Sequence, residues 1–265
     1  MTLSAFIESV GLLGPGLADW PQAARMLAGD APYLPEPTRL PPPAGLPAAE
    51  RRRTGPFVKV ALAVGHEAAA ASGRDAATLA TVFSSSGGDG QNCHAICETL
   101  ASDERLLSPT RFHNSVHNAP AGYWGIATGA TAAANSLCAH DASFGAGLLE
   151  AMCQVAVERS AVLLIAYDTS YPEPMRSVRP VPDAFGVALL LAPVASAASL
   201  AHIELTRSEA AADYMDDPAL ERLRASIPAA RSLPLLAQLA RGTPGCVRID
   251  YLDRARLAVT VGPCR

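Results

Sequence analysis

Lysine is all but missing from this chain: of its 21 basic residues only Lys59 is a lysine. That leaves no spare amine for Schiff-base chemistry. Charge of either sign is also sparse, with 17% Asp, Glu, Lys and Arg, a net charge of −4 and an isoelectric point near 5.9. No basic face is therefore offered to a phosphate backbone, and nucleic acid is not an expected partner. With 49% hydrophobic residues, the composition also excludes a disordered chain. No apolar run reaches membrane-spanning length, and the opening Met1-Thr2-Leu3-Ser4 lacks a basic leader, so neither a membrane span nor a secretory segment is expected. The expected compartment is a reducing cytoplasm, with the six cysteines (93, 97, 138, 153, 246 and 264) as free thiols. Cys93 and Cys97 stand four apart, but no second matching pair follows. No metal site and no cofactor are expected.

What the chain does have is a central stretch, residues 107–151, that concentrates chemistry-bearing side chains. His113, His117, Cys138 and His140 fall inside it, beside Asp141 and Ser143. It runs from a Ser-Pro turn through small, Gly-punctuated residues into an apolar helix, the layout of a loop-to-helix corner. The 265 residues suffice for one large domain or two small ones.

Around this stretch the patterning is that of alternating strands and helices. Residues 2–13 predict a strand ending at Gly14-Pro15-Gly16, and 20–29 a short helix. Residues 32–47 carry too much proline for either and predict an extended surface loop. Apolar spacing over 57–72, closed by Gly73, predicts a helix packed on a sheet. Residues 79–83 predict a buried strand. The SSSGGDG loop after it lacks both the Lys-Ser/Thr ending of a P-loop and GxGxxG spacing, so it reads as a tight passage into a helix over 92–100. A long helix is expected over 143–159, and continuous apolar strands over 161–167 and 184–191, the latter type usual in sheets covered on both faces. The remainder predicts a strand at 201–205, short helices at 217–225 and 232–240, and a hairpin from 247–252 and 257–261 turning at Asp253-Arg254-Ala255. The expected fold is α/β, with layered helices on a mixed, mostly parallel sheet. The expected organisation is a domain over 1–193 and a C-terminal extension over 194–265 packed on it.

Several elements recur together in a known order: the opening strand with its Gly-rich turn, LPAAERRR leading into a helix, VFSSSGGDG, and AFGVALLLAP. Between them, Ser108-Pro109, Asn118, Ala121-Gly122 and Gly129 follow an SP…N…AG…G spacing. This ordered set resembles the N-terminal half of a β-ketoacyl synthase, a truncated thiolase-like fold, over roughly residues 2–193. In active members of that family a cysteine stands at the turn that opens a buried helix. Counting from Ser108-Pro109 that position is Asp141, and counting back from the strand at 161–167 it is Ala142. The family's second half supplies two histidines and a lysine, whereas the last seventy or so residues here hold His202 and no lysine. The resemblance therefore implies that a complete condensing site is not assembled from this chain alone. The surface left by the missing half would be covered by residues 200–265 or by another chain.

For the individual residues, alternatives stay open. Cys138 with His140 has the types needed for an activated thiolate, and the two would share a face only on a strand. Against this, Cys138 is expected first as a buried, small apolar cysteine. Asp141 is expected to cap the helix beginning near Ser143, with acid–base work alongside His140 or His113 as the alternative. His113, Asn114, His117 and Asn118 form a polar HNSVHN cluster which, on a helix, could bind a metal. The resemblance places it, with Phe144, at a dimer or binding interface. The expected function is then a non-catalytic, chain-length-factor-like protein of a type II fatty-acid or polyketide pathway, including those making aryl polyenes. It would pair with an active ketosynthase or with itself, and an acyl carrier protein could dock on Arg51, Arg52 and Arg53. Two alternatives are an acyl-thioester hydrolase or transferase using Cys138 or Asp141 with a histidine, and a homodimeric acyl-ligand-binding protein.

Overall fold

In the computed structural model, which describes residues 2–264, two short runs of apolar strand residues set the architecture. Strand β4 (Val162–Asp168) and strand β5 (Phe185–Ala192) are buried along their whole length. Side chains alternate across a strand. Leu163, Ile165, Tyr167, Ala188 and Leu190 pack in one core, while Val162, Leu164, Ala166, Val187, Leu189 and Leu191 pack in the other. A continuous apolar run is what a strand needs when helices cover both faces of its sheet.

The other elements fall into place around this centre. In chain order they begin with β1 (Leu3–Leu13), α1 (Trp20–Ala28), α2 (Ala48–Arg51), α3 (Pro56–Ser72), β2 (Ala80–Ser84), α4 (Gly90–Ala101), α5 (Pro109–His113) and α6 (Ala119–Thr128). Next come β3 (Ala134–Leu137), α7 (Ser143–Glu158), β4, α8 (Met175–Val178) and β5. The chain finishes with β6 (Ala201–Ser208), α9 (Pro218–Ser226), α10 (Leu233–Arg241), β7 (Gly245–Leu252) and β8 (Ala255–Gly262). Helix α3 lies on one face and α7 on the other. At Gly11 the helix α3 backbone comes so near β1 that a Cβ there would collide with the Val64 carbonyl. The proline-dense segment before α2 forms no regular element and is tethered by Thr38, whose N–H donates to Asp183 Oδ2 (3.0 Å) and whose hydroxyl donates to the Ala184 carbonyl (2.7 Å).

The strand order is β3-β2-β4-β5-β1-β6-β8-β7 in one eight-stranded sheet. Only β2 pairs in parallel, with β3 and β4; every other neighbouring pair is antiparallel. The sheet is α/β and mixed but mostly antiparallel, which corrects the expected parallel majority. Burial on both faces, not strand direction, produced the apolar runs from which that expectation was drawn. Beyond residue 193, β6 pairs with β1 and β8 and β7 follow, so the same sheet continues through the C-terminal segment. Among the described residues, no helix is long and apolar enough to cross a membrane.

Candidate functional site

The three parallel strands β3, β2 and β4 point their C-terminal ends at one corner, the customary place for a ligand in a sheet with parallel strands. The chain leaves β3 at Leu137 and enters α7 at Ser143 through a tight 3₁₀ turn, His140–Ala142. Within it His140 has φ 51°, one of three non-glycine residues in the left-handed region among the described residues. Such a residue is costly unless its surroundings hold it. Here Ser143 does so: its hydroxyl donates to the His140 carbonyl (2.7 Å) and accepts from the Ala139 N–H (3.0 Å). The end of β2 is stitched to the same turn, Ser84 Oγ donating to the Ser143 carbonyl (2.6 Å).

Two arginines from distant parts of the chain reach this turn. Arg179 donates from Nη2 to Asp141 Oδ1 (2.8 Å), and Arg231 from Nη2 to Asp141 Oδ2 (3.1 Å). Burial opposes ionisation of Asp141 and is the largest single influence. The Arg179 hydrogen bond and the charges of Arg231 and Arg179 together outweigh it, so the carboxyl is held below its ordinary range. Arg179 Nη1 lies 2.7 Å from His140 Nε2. A guanidinium only donates, so that nitrogen accepts and the ring proton sits on Nδ1, 3.6 Å from Asp141 Oδ1. The basic nitrogen of His140 is thus already engaged. Cys138 is exposed, not the buried apolar cysteine expected, because it lies past the end of β3 in the turn, and its thiol donates to the Ser86 carbonyl at 3.2 Å.

Behind the turn lies a buried carboxylate. Asp168, at the end of β4, accepts from the Ser86 N–H (2.9 Å), the Ser86 hydroxyl (2.6 Å) and the Ala229 N–H (2.8 Å). Burial is the dominant influence and pushes its pKa up to about 6, against the lowering effect of these hydrogen bonds. Sequence reasoning passed over Asp168, although an Asp ending an otherwise apolar strand was a visible signal. For Arg179 and Arg231 there was no local signal, since they stand 38 and 90 residues from Asp141.

The sequence matches the family described as β-ketoacyl synthase, N-terminal domain, over residues 19–247. The chain belongs to that family. Among solved structures it is similar to a ketosynthase in complex with its chain length factor from Xenorhabdus doucetiae, with TM-score 0.74 and 22% identity over 97% of this chain and 99% of that one. It is also similar to the ishigamide ketosynthase/chain length factor, with TM-score 0.70 and 14% identity over 98% and 99% of the two chains. A β-ketoacyl synthase from Burkholderia phymatum gives TM-score 0.59 and 14% identity over 86% of this chain and 71% of that one. No curated protein sequence matches. At these identities the structural likeness establishes the fold.

Within this ketosynthase-family fold the expected site residues separate into groups. Asp141, Ala142, Cys138, His140 and Ser143 do come together in the one turn. Asp141 does not cap α7, however: the helix has Ala142 at its N-cap position with no side-chain bond, because both Asp141 oxygens face arginines. The HNSVHN cluster is not a helical metal face, since α5 stops at His113 and His117 lies in the turn beyond it. Among the described residues no group of three or more His, Cys, Asp or Glu could hold a metal. Asn114 is buried, donating to the Arg53 carbonyl (2.8 Å) and accepting from the Tyr123 hydroxyl (3.0 Å). His117 approaches Ser85 Oγ at 3.1 Å, and burial lowers its pKa against the opposing Ser85 bond. His113 and Asn118 are exposed. Phe144, expected at an interface, lies in the main core at 1% exposure.

Proposed function

We propose that this chain is a non-catalytic, chain-length-factor-like partner of an active ketosynthase in a type II fatty-acid or polyketide pathway of the aryl-polyene kind, working in the cytoplasm. The carrying observation is the turn at 140–142. A sharp strand-to-helix turn presents the side chain of its strained residue to the site, and here that residue is His140, clamped through its one acceptor nitrogen by Arg179. Both oxygens of Asp141 are taken by guanidinium groups. The Cys138 thiol is turned toward the Ser86 carbonyl, with no base among its partners in the described residues. Each of these ties supports a kept shape over a kept reaction, and weighs against thioester hydrolysis by Cys138 or Asp141.

The partner, a ketosynthase or a second copy of this chain, would sit at the β3 end of the sheet. Strand β3 has no neighbour on its outer side among the described residues; His117 and Asn118 line a hollow with its Ala134 and Ser136, and Leu106, Phe112 and Val116, in the segment leading to them, are 77%, 68% and 52% exposed. The Asn114 bond to the Arg53 carbonyl (2.8 Å) sets the Arg51–Arg53 run beside the same region. Those arginines suit an acidic acyl carrier protein.

Incubating the chain with acyl-carrier thioesters, followed by intact-mass spectrometry, tests the reading together with co-purification of a co-expressed ketosynthase. The expected result is a stable complex and no covalent adduct. An acyl adduct that disappears in Cys138→Ala would overturn the non-catalytic role.

A further inference from the structure

Helix α4 carries two cysteines that its packing does not account for. Cys93 and Cys97 are both exposed, and the helix buries only Gly90. A free cysteine usually serves as a small buried apolar group, so two of them in water on one helix need another reason. They stand four residues apart in a twelve-residue helix, which stacks them on the same face, one turn above the other. The Cys93 thiol senses its neighbour: burial first, and then the Cys97 thiol, push it above its ordinary range.

Geometry decides what such a pair can do. The Cβ atoms of residues i and i+4 lie about 5–6 Å apart on a helix, whereas a disulfide needs them at roughly 3.5–4.5 Å. A disulfide would therefore have to distort the turn between them. A cation held between the two sulfurs meets no such obstacle, since two metal–sulfur bonds of about 2.3 Å in line set the sulfurs roughly 4.6 Å apart.

The surroundings then narrow the cation. Structural zinc takes four ligands, and among the described residues no group of three or more His, Cys, Asp or Glu could hold a metal. His94 and Glu98, which follow the two cysteines in the chain, face each other at 3.3 Å. Calcium and magnesium take oxygen ligands. A soft ion satisfied by two thiolates remains, and in a reducing compartment that ion is Cu(I). The missing second pair of cysteines, which told against zinc, does not tell against it.

We infer that Cys93 and Cys97 form a two-thiolate site for Cu(I) on the exposed face of α4. Binding exchanges the two thiol protons for one metal ion. Copper stays Cu(I) and sulfur stays thiolate, so no oxidant or reductant is consumed. The site uses no residue of the 140–142 turn, so its failure would leave the proposed pairing with a ketosynthase untouched. Anaerobic titration of the reduced full chain against the coloured Cu(I)–bicinchoninate complex tests it. The wild-type chain is expected to withdraw one Cu(I), and X-ray absorption of that copper to show two sulfur neighbours. Cys97→Ser should lose the uptake, whereas Cys246→Ser, which removes a different exposed thiol, should keep it. A chain carrying both Ala95→Cys and Cys97→Ser has as many thiols as the wild type, but on α4 they stand two residues apart and do not face each other. It should lose the uptake as well, with an unchanged thermal melt. No withdrawal of copper by the wild type, unchanged uptake in Cys97→Ser or in the double variant, or loss in Cys246→Ser would each overturn the assignment.

Discussion

The two ends of the sheet are built on opposite plans. At the β7 end an eight-residue edge strand is sealed by its own chain. Asp213 shields it, its N–H donating to the Arg248 carbonyl (2.8 Å) and its carboxylate accepting from the Arg248 N–H (2.9 Å). Val247 and Ile249 are buried, and α7 and α10 pack on the strand. Asp250 gathers Arg224 and Arg231 at 3.3 Å and Arg256 at 3.6 Å. At the β3 end the edge strand has four residues, two of them exposed and none buried. The helices α4 and α5, between β2 and β3 in the chain, bury almost nothing: Gly90 alone in α4 and no residue of α5. An unshielded edge is a liability unless something pairs with it. The C-terminal segment thus closes one end of the sheet, and the other is where the proposed partner would sit.

The sealed end is the easier one to break. Gly145, in the first turn of α7, lies so close to the Asp250 carbonyl that a Cβ would overlap it. Backbone cannot give way as a flexible side chain can, so Gly145→Val is expected to cost about 3 kcal/mol or more in urea unfolding. Retention of wild-type stability would mean that β7 is not firmly held against α7.

Asp168 links the two ends, holding Ser86 beyond β2 and Ala229 in the C-terminal segment. Its pKa is raised from 3.8 to about 6, mainly by burial. An acid with a raised folded pKa contributes stability that is complete below the unfolded value and is lost as pH rises through the folded one. The loss here falls between about pH 4 and pH 7 and amounts to on the order of 2–3 kcal/mol. Asp141, Glu8 and Glu221 are shifted downward instead, so their contributions are lost below that window. The difference in unfolding free energy between wild type and Asp168→Asn should therefore shrink as pH rises from 4.5 to 7.5. A flat difference would show that the link is not titrating.

Removal of the Asp250 carboxylate is expected to do less. Asp250→Ala leaves three guanidinium groups without that partner, though Arg224 keeps Glu221 and Arg231 keeps Asp141. A cost of about 2 kcal/mol is expected, with earlier protease cleavage in residues 210–264 than around β3. Cleavage first at β3 would reverse the contrast drawn between the ends.

Much of this was legible from local pattern. The buried strands, α3, α7 and the terminal hairpin appear where apolar runs and turn residues place them. Strand direction was not legible, because apolar runs report burial and not polarity. Helix α6 was not legible either: Pro120, Gly122 and Gly125 argue against it, and it forms because Tyr123 and Trp124 are each anchored at 1% exposure. The corner itself was found, since its residues are consecutive. Its electrostatics were not, since Asp141 is governed by Arg179 and Arg231 from elsewhere in the chain.

The smallest effect on stability should carry the largest consequence for assembly. Phe112, on α5, is 68% exposed, and Leu252, at the sealed end, is 55% exposed. Both are large apolar side chains in water, so replacing either with serine should change the unfolding free energy by no more than about 0.5 kcal/mol. They differ in what lies opposite. If the ketosynthase covers the β3 end together with the exposed face of α5, Phe112→Ser removes an anchor from that contact and should weaken the complex roughly tenfold or more by surface plasmon resonance. Leu252→Ser should leave it unchanged. The two variants share chemistry, exposure and stability cost, so any difference between them reports the location of the partner and nothing else. The opposite pattern, with Leu252→Ser weakening the complex and Phe112→Ser neutral, would place the partner against the β7 end.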